Sequence, residues 1–208
     1  MKLQKEPLKA FLEPGRIEAG CDEAGRGCYA GPVCAAAVIL PENYSHPLLN
    51  DSKKLSDKQR RVLRETIIVD AIDYAVAMVD HQEIDQINIL NASILAMHRA
   101  LAKLKTVPDF ILADGNKFKP FLSIPHSCVI KGDGKFFSIA AASILAKTAR
   151  DDFMLDLHNE YPVYNWDKNK GYPTAAHRKA ILKYGISPYH RKSYHMPGME
   201  PELPFPDL

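Results

Sequence analysis

Three short apolar segments of the chain each run into a carboxylate with glycine close behind. Ile17 to Asp22 leads to Glu23-Ala24-Gly25, Phe110 to Ala113 leads to Asp114-Gly115, and Cys128 to Ile130 leads to Lys131-Gly132-Asp133-Gly134. Apolar runs this short, bounded by glycine, read as buried strands. Val33 to Leu40, after Gly31-Pro32, and Ala71 to Val79 read the same way. Elsewhere the periodicity changes. Ser56-Asp-Lys-Gln59 has capping-box form and starts a helix to about Ile68. Apolar residues from Ile89 to Leu104 recur at helical spacing over Asn88 to Lys105, with Pro108 as the stop. Phe137 to about His158 reads as a long helix. Thr174 to Tyr184 reads as a shorter one, capped by Thr174 and closed by Gly185. Strands followed by helices indicate an α/β fold with a mixed sheet, because parallel neighbours need crossover helices. Ligands of such sheets bind at the carboxyl ends of strands, where these acids stand.

Taken singly, Asp114-Gly115 or Asp133-Gly134 reads as a turn. Together, Asp22, Glu23, Asp114 and Asp133 could converge on one edge of the sheet. Adjacent strand residues face opposite ways, so Asp22 and Glu23 are expected to share a site only if the first strand ends there. Gathered carboxylates repel and cannot all stay ionised without cations. Oxygen-only ligands favour hard ions, Mg²⁺ or Mn²⁺. Two such ions about 4 Å apart can stabilise both the attacking and the leaving oxygen of an in-line displacement.

Composition narrows the class. With 46% hydrophobic and 25% charged residues, the chain falls in the globular range and outside the disordered one. At 208 residues it can bury about 70% of its unfolded surface and needs no disulfide staples. The four cysteines, Cys21, Cys28, Cys34 and Cys128, have no C-x-x-C spacing and read as reduced, buried thiols. The longest apolar run, Tyr29 to Leu40, is too short to span a bilayer. A cytoplasmic chain without membrane contact is expected. The formal net charge is only +2, but from Glu160 to His195 seven Lys or Arg face two acids. That stretch also holds Tyr161, Tyr164, Trp166, Tyr172, Tyr184, Tyr189 and Tyr194, so it is a candidate nucleic-acid surface.

The loop Gly25-Arg26-Gly27 follows a strand without opening a helix, which gives no support to a dinucleotide fold. It does let backbone groups approach a ligand closely. Gly20-Cys-Asp-Glu-Ala-Gly-Arg-Gly27 with Gly31-Pro-Val33 resembles the opening motif of the ribonuclease HII family. The likeness continues in family order: Asp51-Ser-Lys-Lys-Leu-Ser56, Ala113-Asp-Gly115, Lys131-Gly-Asp133, Ser138 to Ile144, Ala146-Lys147, Arg150-Asp151, Lys170-Gly-Tyr-Pro-Thr174 with His177, and His190-Arg-Lys-Ser193. The resemblance implies an RNase H-like fold, with a mixed five-stranded sheet flanked by helices and a helical C-terminal part. The likeness runs from residue 20 to 193; the expected organisation is a catalytic core over 1–160, a basic helical extension over 161–195 packed on it, and a proline-rich tail over 196–208. The implied activity is hydrolysis of the RNA strand of RNA–DNA hybrids and incision at single ribonucleotides in duplex DNA, leaving 5′-phosphate and 3′-hydroxyl ends. A monomer is expected.

Motif by motif, the resemblance puts Asp22, Glu23, Asp114 and Asp133 at the metal-ligand positions. Gly25, Arg26 and Gly27 form the loop that reads the 2′-hydroxyl. Tyr172 is the tyrosine that packs on the sugar, and Lys53 and Lys54 lie near phosphates. Ser143, Lys147 and Arg150 share one face of the long helix, within an otherwise apolar stretch. A polar stripe there must be paired or ligand-facing. Ser143 and Lys147 are therefore candidate substrate contacts, with Lys147 pairing to Asp151 as the alternative. Asp151 and Asp152 read as ion-pair or helix-surface residues, and His177 as a structural partner.

Overall fold

The computed structural model describes residues 7–49 and 55–198. One mixed sheet holds β1 (Glu18–Ala24), β2 (Val33–Ile39), β3 (Asp73–Val79), β4 (Phe110–Asp114) and β5 (His126–Val129), in the order β3-β2-β1-β4-β5. β1 pairs antiparallel with β2 and parallel with β4; β2 and β3 are antiparallel, and β4 and β5 parallel. The helices are α1 (Asp57–Asp70), α2 (His81–Ala102), α3 (Phe137–Glu160), α4 (Trp166–Asn169) and α5 (Ala175–Tyr184).

Both sheet faces are covered. Ala35, Ala37 and Ile39 of β2 pack with α2, whereas Cys34, Ala36 and Val38 pack with α1 and α3, so all seven residues of β2 are buried. That is why the β2 sequence is a continuous apolar run and not an alternating one. The small residues set the layer spacing. A Cβ on Gly20 would lie 2.3 Å from the Ser138 carbonyl carbon, so only glycine lets α3 lie this close to β1. Leu63 and Ile67 anchor α1 on the same side, each contributing roughly 1.5–3 kcal/mol by burial. A further cluster (Ala30, Met154, Leu157, Tyr164, Trp166, Ile181) seats the C-terminal segment on the end of α3.

Several boundaries differ from the sequence expectation. β1 does not end at the acids; its ladder to β2 runs on to Ala24. β5 starts and ends earlier than Cys128 to Ile130. α2 begins at His81 under an Asp80 cap and stops at Ala102, well before Pro108. Asn88, at φ 64° and ψ 162°, breaks that helix, so its first part was hidden from any single apolar period. Ser56 and Thr174 cap α1 and α5 as expected. Cys21, Cys28 and Cys34 are buried and free, but Cys128 is exposed, because β5 is an edge strand. No described helix is long and apolar enough to cross a membrane. Lys53, Lys54 and residues 199–208 of the proline-rich tail lie outside the described residues.

Candidate active site

A cleft of about 480 Å³ opens at the carboxyl ends of β1 and β4, lined by Asp22, Glu23, Gly25, Arg26, Gly27, Arg60, Asp114, Ser143, Lys147 and Tyr172. Nine of these were expected from the sequence. β1 delivers Asp22 toward α3, on the same face as Gly20. There the Ser143 hydroxyl donates to its carboxylate, and its Oδ1 accepts from the Glu23 backbone N–H at 2.7 Å. Strand alternation puts Glu23 on the opposite face. It still reaches the cleft, because β4 pairs with β1 only as far as Cys21 and leaves that edge open. The Arg26 guanidinium bonds Glu23 at 3.1 Å.

Asp114 closes β4, and its Oδ1 accepts from the Gly132 backbone N–H at 2.6 Å. That bond ties the turn Gly132–Gly134, with the buried Asp133, to the acid end of the sheet. Asp133 itself does not line the cleft. Desolvation, and then the neighbouring charges of Glu23 and Asp114, raise Asp22 well above the usual carboxylate range. Burial raises Glu23 too, against the pull of Arg26. Among the described residues, no three carboxylate, imidazole or thiol groups are gathered closely enough to hold a metal ion by themselves. The acids form a strained, open set of oxygen donors whose repulsion a cation would relieve. That suits Mg²⁺, which keeps several waters and is usually held by one or two carboxylates plus substrate phosphate.

Gly25 permits the turn after β1. Its φ is +96°, and a Cβ there would meet Arg150 Nε at 2.0 Å. On the far wall, Tyr172 is 39% exposed, with the Arg150 guanidinium 5.8 Å from its ring centroid. The turn presenting it is over-determined. Tyr172 N–H donates to Asn169 O at 2.8 Å, and its carbonyl accepts from Thr174 N at 2.8 Å and from His177 Nδ1 at 2.9 Å. His177 is thus the structural partner that the sequence suggested. Lys147 lines the cleft and pairs with buried Asp151 at 3.2 Å, the structural alternative that the sequence offered for it. Asp152 is an ion-pair residue, bonded to Arg61 and Arg64 of α1. Arg150 is no cleft contact; it is buried and donates to the carbonyls of Ala30, Pro32 and Lys170.

Sequence reasoning missed Arg60, which enters the cleft from the first turn of α1 and donates to Leu55 O. Its position four residues after the Ser56 cap, next to the Asp51 to Ser56 motif, was the available signal.

The family model for ribonuclease HII matches residues 19–196. The chain is 57% identical over 199 residues to the ribonuclease HII of Phocaeicola vulgatus, covering 96% of this chain and 99% of that protein. The crystal structure of ribonuclease H2 from Pyrococcus horikoshii OT3 superposes with a TM-score of 0.72 at 28% identity, covering 85% of this chain and 93% of that one. A Bst-RNase HIII solved in complex with Mn²⁺ shares the fold, with a TM-score of 0.62 at 19% identity over 81% of this chain and 62% of that one. A matching family model over nearly the whole chain, a close full-length relative and a shared fold lead to one conclusion: the chain belongs to the ribonuclease HII family of endoribonucleases.

Proposed function

We propose that the chain hydrolyses the RNA strand of RNA–DNA hybrids and incises duplex DNA at single embedded ribonucleotides, leaving 5′-phosphate and 3′-hydroxyl ends. The observation that supports this best is the meeting of Asp22, Glu23 and Asp114 with the Gly25–Gly27 loop and Tyr172 around one cleft. A hard-ion site and a sugar-reading surface are thereby adjacent. Asp22, Glu23, Asp114 and Asp133 would hold two Mg²⁺ or Mn²⁺ ions, the hard cations that oxygen donors favour; an RNase HIII of the same fold was solved in complex with Mn²⁺. When bound, the ions supply charge neutralisation at the attacking and leaving oxygens.

The remaining groups bind and orient. Ser143 fixes the Asp22 carboxylate through its hydroxyl. Backbone amides of the glycine loop suit a 2′-hydroxyl, the group by which RNA differs from DNA. The Tyr172 ring packs on the sugar, and such stacking is indifferent to base identity. Lys147 and Arg60, with Lys53 and Lys54 from the segment before α1, provide phosphate contacts that position without reading sequence. Cleavage should therefore depend little on base sequence. On this reading 1–160 is the catalytic core, 161–195 a substrate-facing basic extension and 196–208 a tail, in a cytoplasmic monomer.

The test uses a DNA duplex carrying one ribonucleotide, with and without Mg²⁺, and maps the cut. The unmodified chain should cut beside the ribonucleotide only with the metal and leave an all-DNA duplex intact. Asp114→Asn should bind but not cut. Absence of cutting by the unmodified chain under Mg²⁺ and under Mn²⁺ would mean a hybrid-binding module instead.

A further inference from the structure

We infer that Arg191 and Tyr194 are positioning residues for ribose recognition, a buried clamp that sets the peptide planes of the Gly25–Gly27 loop. The inference rests on the function proposed above and assigns two residues no part of that reading used. Arg191 is wholly buried. Its Nε donates to Gly31 O at 3.0 Å. Nη1 donates to Arg26 O at 2.9 Å and to the Tyr194 hydroxyl at 3.0 Å, and Nη2 to Gly25 O at 2.7 Å and Pro32 O at 3.1 Å. A guanidinium has five N–H donors, and every one is used. The Tyr194 hydroxyl in turn donates to Arg26 O at 2.6 Å.

A buried charge is costly unless its hydrogen bonds are complete. Here the cost is met by neutral carbonyls, four of them in the stretch that leaves β1 and returns into β2. The consequence follows from the planar trans peptide, in which the carbonyl and the next N–H point in opposite directions. No cis peptide occurs among the described residues. Holding Gly25 O and Arg26 O from behind therefore turns the N–H groups of Arg26 and Gly27 away from Arg191, toward the cleft those residues line. The clamp is itself anchored. Arg191 N–H donates to Tyr29 O at 2.8 Å. Asp85, from α2, accepts from Lys192 N, Ser193 N and the Ser193 hydroxyl.

The test compares the full chain with Tyr194→Phe and Arg191→Lys. Competition binding without metal reads the preference for a duplex with one ribonucleotide over the same all-DNA duplex. Amide hydrogen exchange reads residues 22–31. Tyr194→Phe, which loses both bonds of the hydroxyl, from Arg191 Nη1 and to Arg26 O, should lower the ribonucleotide preference about 5-fold or more and leave all-DNA affinity unchanged. Arg191→Lys should lower it tenfold or more, and exchange over 22–31 should quicken in both. A residue that merely held the fold would reduce the active fraction without moving the preference. An unchanged preference in Tyr194→Phe overturns the inference even if Arg191→Lys fails to fold. If the unmodified chain neither cuts nor prefers the ribonucleotide duplex, the proposed function falls. The exchange data then decide the clamp alone: faster exchange over 22–31 upholds it, and unchanged exchange overturns it.

Discussion

Acidifying the medium from pH 6.5 to pH 4.5 should cost the fold about 2 kcal/mol through His190 alone. The geometry fixes the protons. Ser187 N–H donates to His190 Nδ1 at 2.9 Å, so that nitrogen is bare and the proton sits on Nε2. His190 Nε2 lies 3.1 Å from His177 Nε2, which also accepts from Trp166 Nε1 at 3.1 Å. His177 must then carry its proton on Nδ1, donated to the Tyr172 carbonyl. This arrangement requires both imidazoles to be neutral. Burial, and then His177, push His190 down to about 3, and burial lowers His177 as well. The unfolded chain takes up the proton near pH 6.5, whereas the folded chain resists until about pH 3. Stability is thus full above pH 6.5 and is lost as the pH falls through that window. One group contributes about 1.4 kcal/mol per pH unit in the window and less near its upper edge, which gives the figure above. For a chain of this size, that corresponds to a drop of roughly 4–8 °C in melting temperature. Thermal or urea unfolding at both pH values, for the unmodified chain and for His190→Asn, checks it. The variant should be less stable at pH 6.5, yet its stability should fall less steeply, by about 2 kcal/mol over the interval. Asp22 works in the opposite sense, because a carboxyl raised by folding gains stability on acidification. It is present in both proteins and cancels in the difference. Parallel stability curves would refute the reasoning.

Three more outcomes can be checked on the same preparations. Asp22→Asn should raise the metal-free melting temperature by a few degrees, since it removes a desolvated charge repelled by Glu23 and Asp114. It should also abolish cleavage and blunt any stabilisation by added Mg²⁺; a lower metal-free melting temperature would contradict this. Gly25→Ala should lose cleavage by two orders of magnitude or more, because its Cβ would lie 2.0 Å from Arg150 Nε at φ +96°. The backbone conformation alone costs roughly 1–2 kcal/mol for a non-glycine residue, which unfolding measurements will show. Lys147→Met should flatten the dependence of log affinity on log salt by about 0.9 if the residue contacts one phosphate. It should also destabilise by about 1–3 kcal/mol through the stranded carboxylate of buried Asp151.

What the sequence made legible was chiefly local chemistry. The Ser56 capping box and the Thr174 cap are encoded within four residues, and both appear as read. The strand-end acids were legible because glycine and carboxylate adjoin in the chain. Their shared cleft follows from β1 and β4 being parallel neighbours. The first part of α2 was hidden because Asn88 interrupts the helix and resets its apolar phase. The buried arginines were hidden for a different reason. Arg150 and Arg191 answer to backbone carbonyls more than a hundred residues away, and no periodicity records such a partner. A residue-type prior puts arginine on the surface; only the folded loop reveals the set of acceptors that overrides it.

The packing also explains why the site is destabilised by construction. Gly20 lets α3 settle onto β1, and that approach desolvates Asp22 while bringing the Ser143 hydroxyl onto its carboxylate. A looser layer would leave Asp22 hydrated and easily ionised, but it would not hold the acid in one orientation. The fold therefore gathers carboxylates in a half-dry cleft and holds the adjoining Gly25–Gly27 loop from behind with a buried cation, Arg191. All five of its N–H donors are spent on loop carbonyls and the Tyr194 hydroxyl, so none is left for the acids, whose repulsion a bound cation would relieve.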